Sequence, residues 1–311
     1  MTRGQSLAMM HLLVFIFGFT GILGKLISLD AGPLVFWRVA IGAVAVAAWM
    51  AAAGRFRRLP RGMWWKAVGV GVVAAAHWLA FFWSIKLSTV SVALAVIATV
   101  PFFVGLIEPA VHRRPVDRRE LALAGAVVVG LFLILQDAHA GQTATGPRLV
   151  AGACVALVAA LLGGTFSVFN SVLVRHADSA NLTRVELFSA AAFTGLFVAV
   201  QSGGQVASAF AVPADDVLWL VLLGVVATAF AFLMGIEVMR QLSPFTCAMA
   251  INLEPVYSIL LALWIFGAEE RMGPGFYAGA AVLLGAVAWD AWMKRSVHTE
   301  KTGGDAVADH P

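Results

Sequence analysis

The sequence predicts an all-α membrane protein of ten transmembrane helices, built as two inverted five-helix repeats with both termini cytoplasmic. Three observations lead there. Of 311 residues, 61% are hydrophobic and only 12% charged, about half the charged share that keeps a soluble surface wet. The apolar residues come in long blocks, close to the roughly 20 residues a helix needs to cross bilayer hydrocarbon at about 1.5 Å per residue. The basic residues collect in alternate connections between these blocks.

The blocks place spans at 7–28, 33–53, 64–85, 88–109, 120–138, 149–174, 182–202, 215–239, 243–266 and 273–292. Each is apolar on every side, unlike the weakly alternating strands of a membrane barrel. The 30 glycines suit close helix–helix contact in lipid. The first span follows Arg3 and lacks a small-residue cleavage site, so it is read as a retained helix and not as a signal peptide. Cys154 and Cys247 fall inside spans, where buried thiols behave as small apolar residues. No disulfide, metal or cofactor is expected.

Cytoplasmic loops of membrane proteins gather Lys and Arg. The connections after the second and fourth spans hold Arg55, Arg57, Arg58, Arg61 and Lys66, then Arg113, Arg114, Arg118 and Arg119. Alternation brings Arg3, Arg175, Arg184, Arg240, Lys294, Arg295 and Lys301 to the same side. The opposite side receives only Lys86, Arg148 and Arg271, while Lys25 and Arg38 lie within spans. The net charge of +4 thus reflects membrane orientation and gives no reason to expect nucleic acid. Most tryptophans sit near span ends, at headgroup level. A multi-pass protein of the cell inner membrane follows, with a polar tail, 293–311, read as disordered and cytoplasmic.

Sliding the chain along itself pairs Ile97, Pro101, Leu106 and Ala124-Gly125-Ala126 with Ile251, Pro255, Leu260 and Ala278-Gly279-Ala280. Gly18 pairs with Gly164 at a slightly shorter shift. Two repeats result, 1–138 and 149–292, joined by a periplasmic linker at 139–148. Five is odd, so the second repeat enters the membrane in the opposite sense. Inverted repeats give a route to alternating access, because the halves can exchange conformations around a central site.

The segment Asn252-Leu253-Glu254-Pro255-Val256, followed by an apolar run and Gly267-Ala268-Glu269-Glu270, resembles the second-half signature of the EamA-type transporters of the drug/metabolite transporter superfamily. Thr99-Val100-Pro101 leading to Glu108-Pro109 is its first-half counterpart, and Pro33 with Trp37-Arg38 is similar to another recurring element. The resemblance covers nearly the whole chain. It implies a ten-helix basket whose central cavity is lined by spans 1, 3, 4, 6, 8 and 9. Within the superfamily the chain is most similar in type to amino-acid exporters, including the aromatic amino-acid (YddG-like) group.

Ionisable residues inside a membrane are functional candidates because burying their charge in lipid is costly. Glu108, Glu186, Glu237 and Asp290 lie near cytoplasmic span ends, where side chains reach water. Lys25 and Arg38, near periplasmic ends, form a candidate periplasmic gate. Glu254 and His77 approach the midplane and are the candidates for proton coupling or for gripping an amino group. Pro101 and Pro255 each leave the carbonyl four residues earlier without its donor and are candidate hinges. Phe15, Phe19, Trp78 and Phe81 offer aromatic cavity walls, and Ser167, Asn170 and Asn252 mild polarity. The stripe Ala160, Gly163, Ser167 and Asn170 also reads as a helix-packing face.

Such a cavity suits amphipathic solutes such as larger neutral or aromatic amino acids. Phosphorylated sugars fit poorly without paired cations at mid-depth. The motifs G-x-S-x-G, H-E-x-x-H and the P-loop are all absent from the sequence, so an enzyme is not expected. A channel needs a ring of like groups or a carbonyl filter, and neither occurs. Exchange of cationic drugs, of the small multidrug type, relies on a carboxylate in the first helix, which here carries Lys25. A proton-coupled drug or metabolite exporter of the same superfamily is the alternative. The partners expected are a small molecule, lipid and protons, with no obligatory protein partner. Reporters fused at Arg58, Arg114 and both termini should be active in the cytoplasm and one at Arg148 in the periplasm; termini on different faces would overturn the topology.

Overall fold

The structure, a computed structural model, describes residues 1–113 and 146–251 continuously. Around them it describes positions 115, 116, 118, 119, 122, 123, 125, 126, 129, 130, 132 and 133, then 254, 257, 258, 261, 264, 265, 267, 273–282, 284–286, 288 and 289. The described residues are helical, turn or irregular, with no strand among them. They include 7 stretches long and apolar enough to cross a membrane: Arg3–Leu26, Ala31–Ala52, Met63–Leu87, Val92–His112, Pro147–Leu173, Ser179–Gln201 and Ala214–Val238. A shorter apolar helix covers Pro274–Ala286. The spans expected at 120–138 and 243–266, the end of that at 273–292, most of the linker and the tail at 293–311 lie wholly or partly outside the described residues, as do Asn252 and Pro255.

The elements follow the spans, with three interruptions. The first span is α1, Arg3–Gly18, and α2, Thr20–Leu26, with a turn at Phe19. Thr2 and Gln5 cap α1 reciprocally, the Gln5 amide donating to Thr2 Oγ1 at 3.3 Å and the Thr2 amide to Gln5 Oε1 at 2.8 Å. Next come α3, Ala31–Ala52, and α4, Met63–Leu87. The fourth span breaks into α5, Val90–Ile97, and α6, Val100–His112. After α7, Gly146–Leu173, Asp178 caps α8, Ser179–Gln201, by accepting from the Asn181 amide. A short α9, Val206–Ala209, leads to the eighth span. That span is α10, Val217–Gly224, a π-helical segment, Val225–Phe230, and α11, Ala231–Val238. Then comes α12, Pro244–Ile251.

Helix α4 is the central staff. It packs along α7 and α8, and α3 packs on α8 and on the π segment. Leu13, Leu34, Phe82, Leu94, Leu187 and Leu223 are fully enclosed between these helices. Outward, Val44, Leu196, Val200 and Leu218 are more than half exposed, an apolar belt that only a lipid surround makes inexpensive. Two faces follow from the alternation of spans. One, here the basic face, carries Arg55–Arg61 and Arg175; the opposite face carries Ser28–Asp30, Ser88 and the 202–216 connection.

The contact of α3 with the junction of α10 and the π segment leaves no room for a Cβ. A Cβ built on Gly224 would meet Ile41 Cγ2 at 2.6 Å and the Arg38 carbonyl at 3.1 Å, whereas one on the exposed Gly69 meets nothing within 4 Å. Forcing atoms into packed cores costs about 1–3 kcal/mol. Gly224→Val should therefore lower the melting temperature in detergent by several degrees, while Gly69→Ala, a gain in helix propensity, should leave it unchanged or raised. Equal melting temperatures would show that this contact does not hold the bundle.

Candidate functional site

Helices α1 to α7, α11 and α12, the π segment and Glu254 line a cavity of about 140 Å³. An engineered apolar protein cavity of about 150 Å³ accepts benzene, so this space fits a solute with one ring. Phe17, Trp78, Phe81, Phe166 and Phe232 give its wall five aromatic side chains among aliphatic ones, and the polar groups are few: Thr20, Arg38, His77, Ser167, Asn170 and Glu254. The lining runs from Arg38 and Trp78 toward Met10, Asn170 and Met239, that is, from mid-depth to the basic face. Arg38 lies seven residues into α3, about 10 Å from its opposite-face end.

Arg38 is only 3% exposed. Its Nε donates to Thr228 Oγ1 at 2.8 Å and its Nη2 to the Ala227 carbonyl at 3.3 Å. Both acceptors belong to the π segment, where Thr228 Oγ1 also donates to the Leu223 carbonyl, five residues back. The guanidinium lies over the rings of Trp78, at 4.9 Å, and Phe82, at 5.3 Å, an attractive placement for a cation. Glu254 is 7% exposed and belongs to the same cavity lining as Arg38. Among the described residues, however, the ion pairs within 4.0 Å lie elsewhere, at Arg55–Asp178 and Arg240–Glu237.

His77 Nδ1 lies 2.7 Å from the Ala159 carbonyl. A carbonyl only accepts, so Nδ1 carries the proton in this arrangement. The imidazole stacks along Phe81 and tilts onto Phe166, and a Cβ on Gly163 would meet it at 3.1 Å, so α7 is glycine where the ring passes. The small-residue stripe of α7 divides its labour. Ala160 is buried in the core, while Gly163, Ser167 and Asn170 line the cavity. Asn170 Nδ2 donates at 3.2 Å to Glu186, which is fully buried.

Several expected positions differ. Phe15 is 48% exposed and Phe19 half-buried, stacked edge-on with each other and away from the cavity lining, where Phe17 stands instead. In α1, Met10 and Phe17 are seven residues apart and share a face, which turns Phe15 outward. Of the pair proposed as a periplasmic gate, Arg38 lines the cavity and Lys25 is outside its lining. The lining thus holds one cation, Arg38, and no second Lys or Arg among the described residues. Glu186 is enclosed, not snorkelling. Pro101 falls in the first turn of α6, a position that needs no amide donor. The break itself is at Ala98–Thr99, where Thr99 Oγ1 returns to the Val96 carbonyl at 2.8 Å.

Sequence reasoning missed the closure of the opposite face. Asp216, 3% exposed, accepts from the Ser28 amide at 3.0 and 3.1 Å and from Ser28 Oγ at 2.7 Å. Lys86 Nζ donates to the Ile27 carbonyl at 2.8 Å, and Trp37 Nε1 to the Phe210 carbonyl at 3.2 Å. These bonds tie the end of α2 to the start of the eighth span and to the end of α4. The signal was the pair Asp215-Asp216 directly before an apolar run, where helix starts favour acids.

Membrane-length apolar helices surround an interior cavity, and hydrogen bonds join α2, α4 and the eighth span at one face, an architecture that suits a membrane transporter. The family model described as the EamA-like transporter family matches twice, over residues 5–136 and 150–289. The chain belongs to that family, whose members are transporters, and it is a multi-span membrane protein of the drug/metabolite transporter superfamily. A solved structure titled "Crystal structure of protein" superposes with a TM-score of 0.68 at 18% identity, covering 95% of this chain and 99% of the other, a likeness of fold. No curated protein matches at a significant level. Among the described residues, no cluster of three or more His, Cys, Asp or Glu is placed to hold a metal ion.

Hydrogen bonds to a charged group are worth about 1.5–3 kcal/mol, a tenfold or larger shift in a two-state equilibrium. Asp216→Asn should therefore raise labelling of a cysteine placed at Thr20, by a membrane-impermeant thiol reagent added at the opposite face, about tenfold. Unchanged labelling would show that the Ser28–Asp216 contact does not hold that face shut.

Proposed function

We propose that this protein is an inner-membrane exporter of larger neutral or aromatic amino acids, or of similar small amphipathic metabolites. Transport proceeds by alternating access between two inverted five-helix repeats, 1–138 and 149–292, with both termini cytoplasmic. The observation that carries this reading is the central cavity: largely apolar with five aromatic side chains, sized for one ring, and equipped with a few polar groups. Its lining reaches toward the basic face, and hydrogen bonds join α2, α4 and the eighth span at the opposite face, which supports cargo loading from the cytoplasm in such a cycle. The break at Ala98–Thr99 beside Pro101 supplies a hinge in the first half, with Pro255 as its counterpart in the second.

Glu254 is the group proposed to couple transport to protons. Arg38, His77 and the thiol of Cys247 are the other ionisable groups lining its cavity. His77 donates Nδ1–H to the Ala159 carbonyl, which fixes its ring and leaves Nε2 as its basic nitrogen.

Purified protein in liposomes should catalyse saturable counterflow of labelled phenylalanine, tryptophan or leucine. No saturable flux of any amino acid, against protein-free vesicles, removes the substrate assignment. In the same vesicles Glu254→Gln should flatten the pH dependence of flux. A variant with the wild-type pH profile retires the coupling role.

A further inference from the structure

We propose that Arg38 and Glu254 are the two charged poles of the cavity and that its cargo is a zwitterionic α-amino acid: carboxylate at Arg38, ammonium toward Glu254, apolar or aromatic side chain against Trp78 and Phe232. This deepens the exporter reading and rests on it.

The guanidinium is enclosed and lines the cavity, yet its bonded partners are neutral, Thr228 Oγ1 and the Ala227 carbonyl. Those bonds engage Nε and one N–H of Nη2, and the rest of the planar fork is left for a ligand. A cation enclosed without a counter-ion is costly, and its fork matches a carboxylate in two parallel bonds. The protein supplies an opposite charge in the same lining, Glu254, which forms no ion pair with Arg38 among the described residues. A cavity with separated poles of opposite sign is filled best by a molecule carrying both.

Selectivity follows from the same arrangement. An amine lacking a carboxylate leaves Arg38 uncompensated and is repelled by it. An acid lacking an ammonium meets the same penalty at Glu254. Specificity of this kind comes from the poles' rejection of the wrong charge as much as from attraction. Between the poles, Trp78 meets Phe232 edge-on at 5.3 Å and carries the guanidinium on its face, so the ring wall and the carboxylate anchor are one packed unit.

The test compares three probes with one ring: phenylalanine, phenylethylamine and 3-phenylpropionate, in counterflow with full-length protein in liposomes. Wild type should carry phenylalanine at least tenfold faster than either single-charge probe. Arg38→Gln should cut phenylalanine flux tenfold or more and bring it within twofold of phenylethylamine. Glu254→Gln should bring it within twofold of 3-phenylpropionate. Wild type carrying phenylethylamine or 3-phenylpropionate as fast as phenylalanine overturns the two-pole assignment and leaves an amino-acid exporter standing. Flux of none of the amino acids removes the exporter reading itself. The wild-type comparison decides even where Arg38→Gln fails to fold. If that variant folds with an unchanged melting temperature and keeps wild-type probe selectivity, Arg38 is a packing residue and the proposal falls.

Discussion

Hydrocarbon offers no water to a bare guanidinium, and much of this bundle is arranged around how Arg38 is kept. Its donors need acceptors at mid-depth, where a regular helix has none to spare, because each carbonyl already serves an amide four residues on. The eighth span provides them by widening into a π turn, from which Ala227 and Thr228 face Arg38. That contact requires α3 and the π segment to approach backbone to backbone, hence Gly42 and Gly224 on the two sides. It also requires ring faces above the cation, hence Trp78 and Phe82 from α4. Three helices are fixed relative to one another by housing one charge.

The remaining departures from regular helix obey the same constraint. Each is paid for locally: Thr20 Oγ1 donates to the Phe17 carbonyl at the turn between α1 and α2, and Thr99 Oγ1 to Val96 at the break between α5 and α6. Ser258 Oγ caps the Gly18 carbonyl from across the bundle at 2.6 Å. Irregular backbone thus occurs where a hydroxyl is at hand and a cavity is near, and the helix ends on the two faces are handled by ordinary caps and turns.

What the sequence made legible was whatever lipid dictates through length and charge. The spans at 33–53, 64–85 and 182–202 match Ala31–Ala52, Met63–Leu87 and Ser179–Gln201 to within three residues, and the Pro101 interruption was readable from the proline alone. Helix phase was not legible. In water the apolar stripe marks the core, but in a bilayer both the lipid side and the inner side are apolar, so nothing in α1 distinguished Phe15 from Phe17. Arg38 was misplaced for a related reason. Its depth was readable, but what faced it depended on Thr228, 190 residues away. The π segment has no marker in Val225-Val226-Ala227-Thr228-Ala229-Phe230, since its cause is the tertiary demand for an acceptor.

The widened turn has a consequence for everything after it. A π turn holds one residue more than an α turn, and each residue advances an α-helix by about 100°. The insertion therefore sets the clock angle of Ala231–Val238: with it, Ala231, Phe232, Gly235 and Ile236 look inward. Excising a single residue from Val225–Phe230 would rotate that whole arc by more than a quarter turn and present a different set of side chains to the interior, with composition and hydropathy almost untouched. The identity of one wall of the chamber is thus written in a count of residues and not in their chemistry.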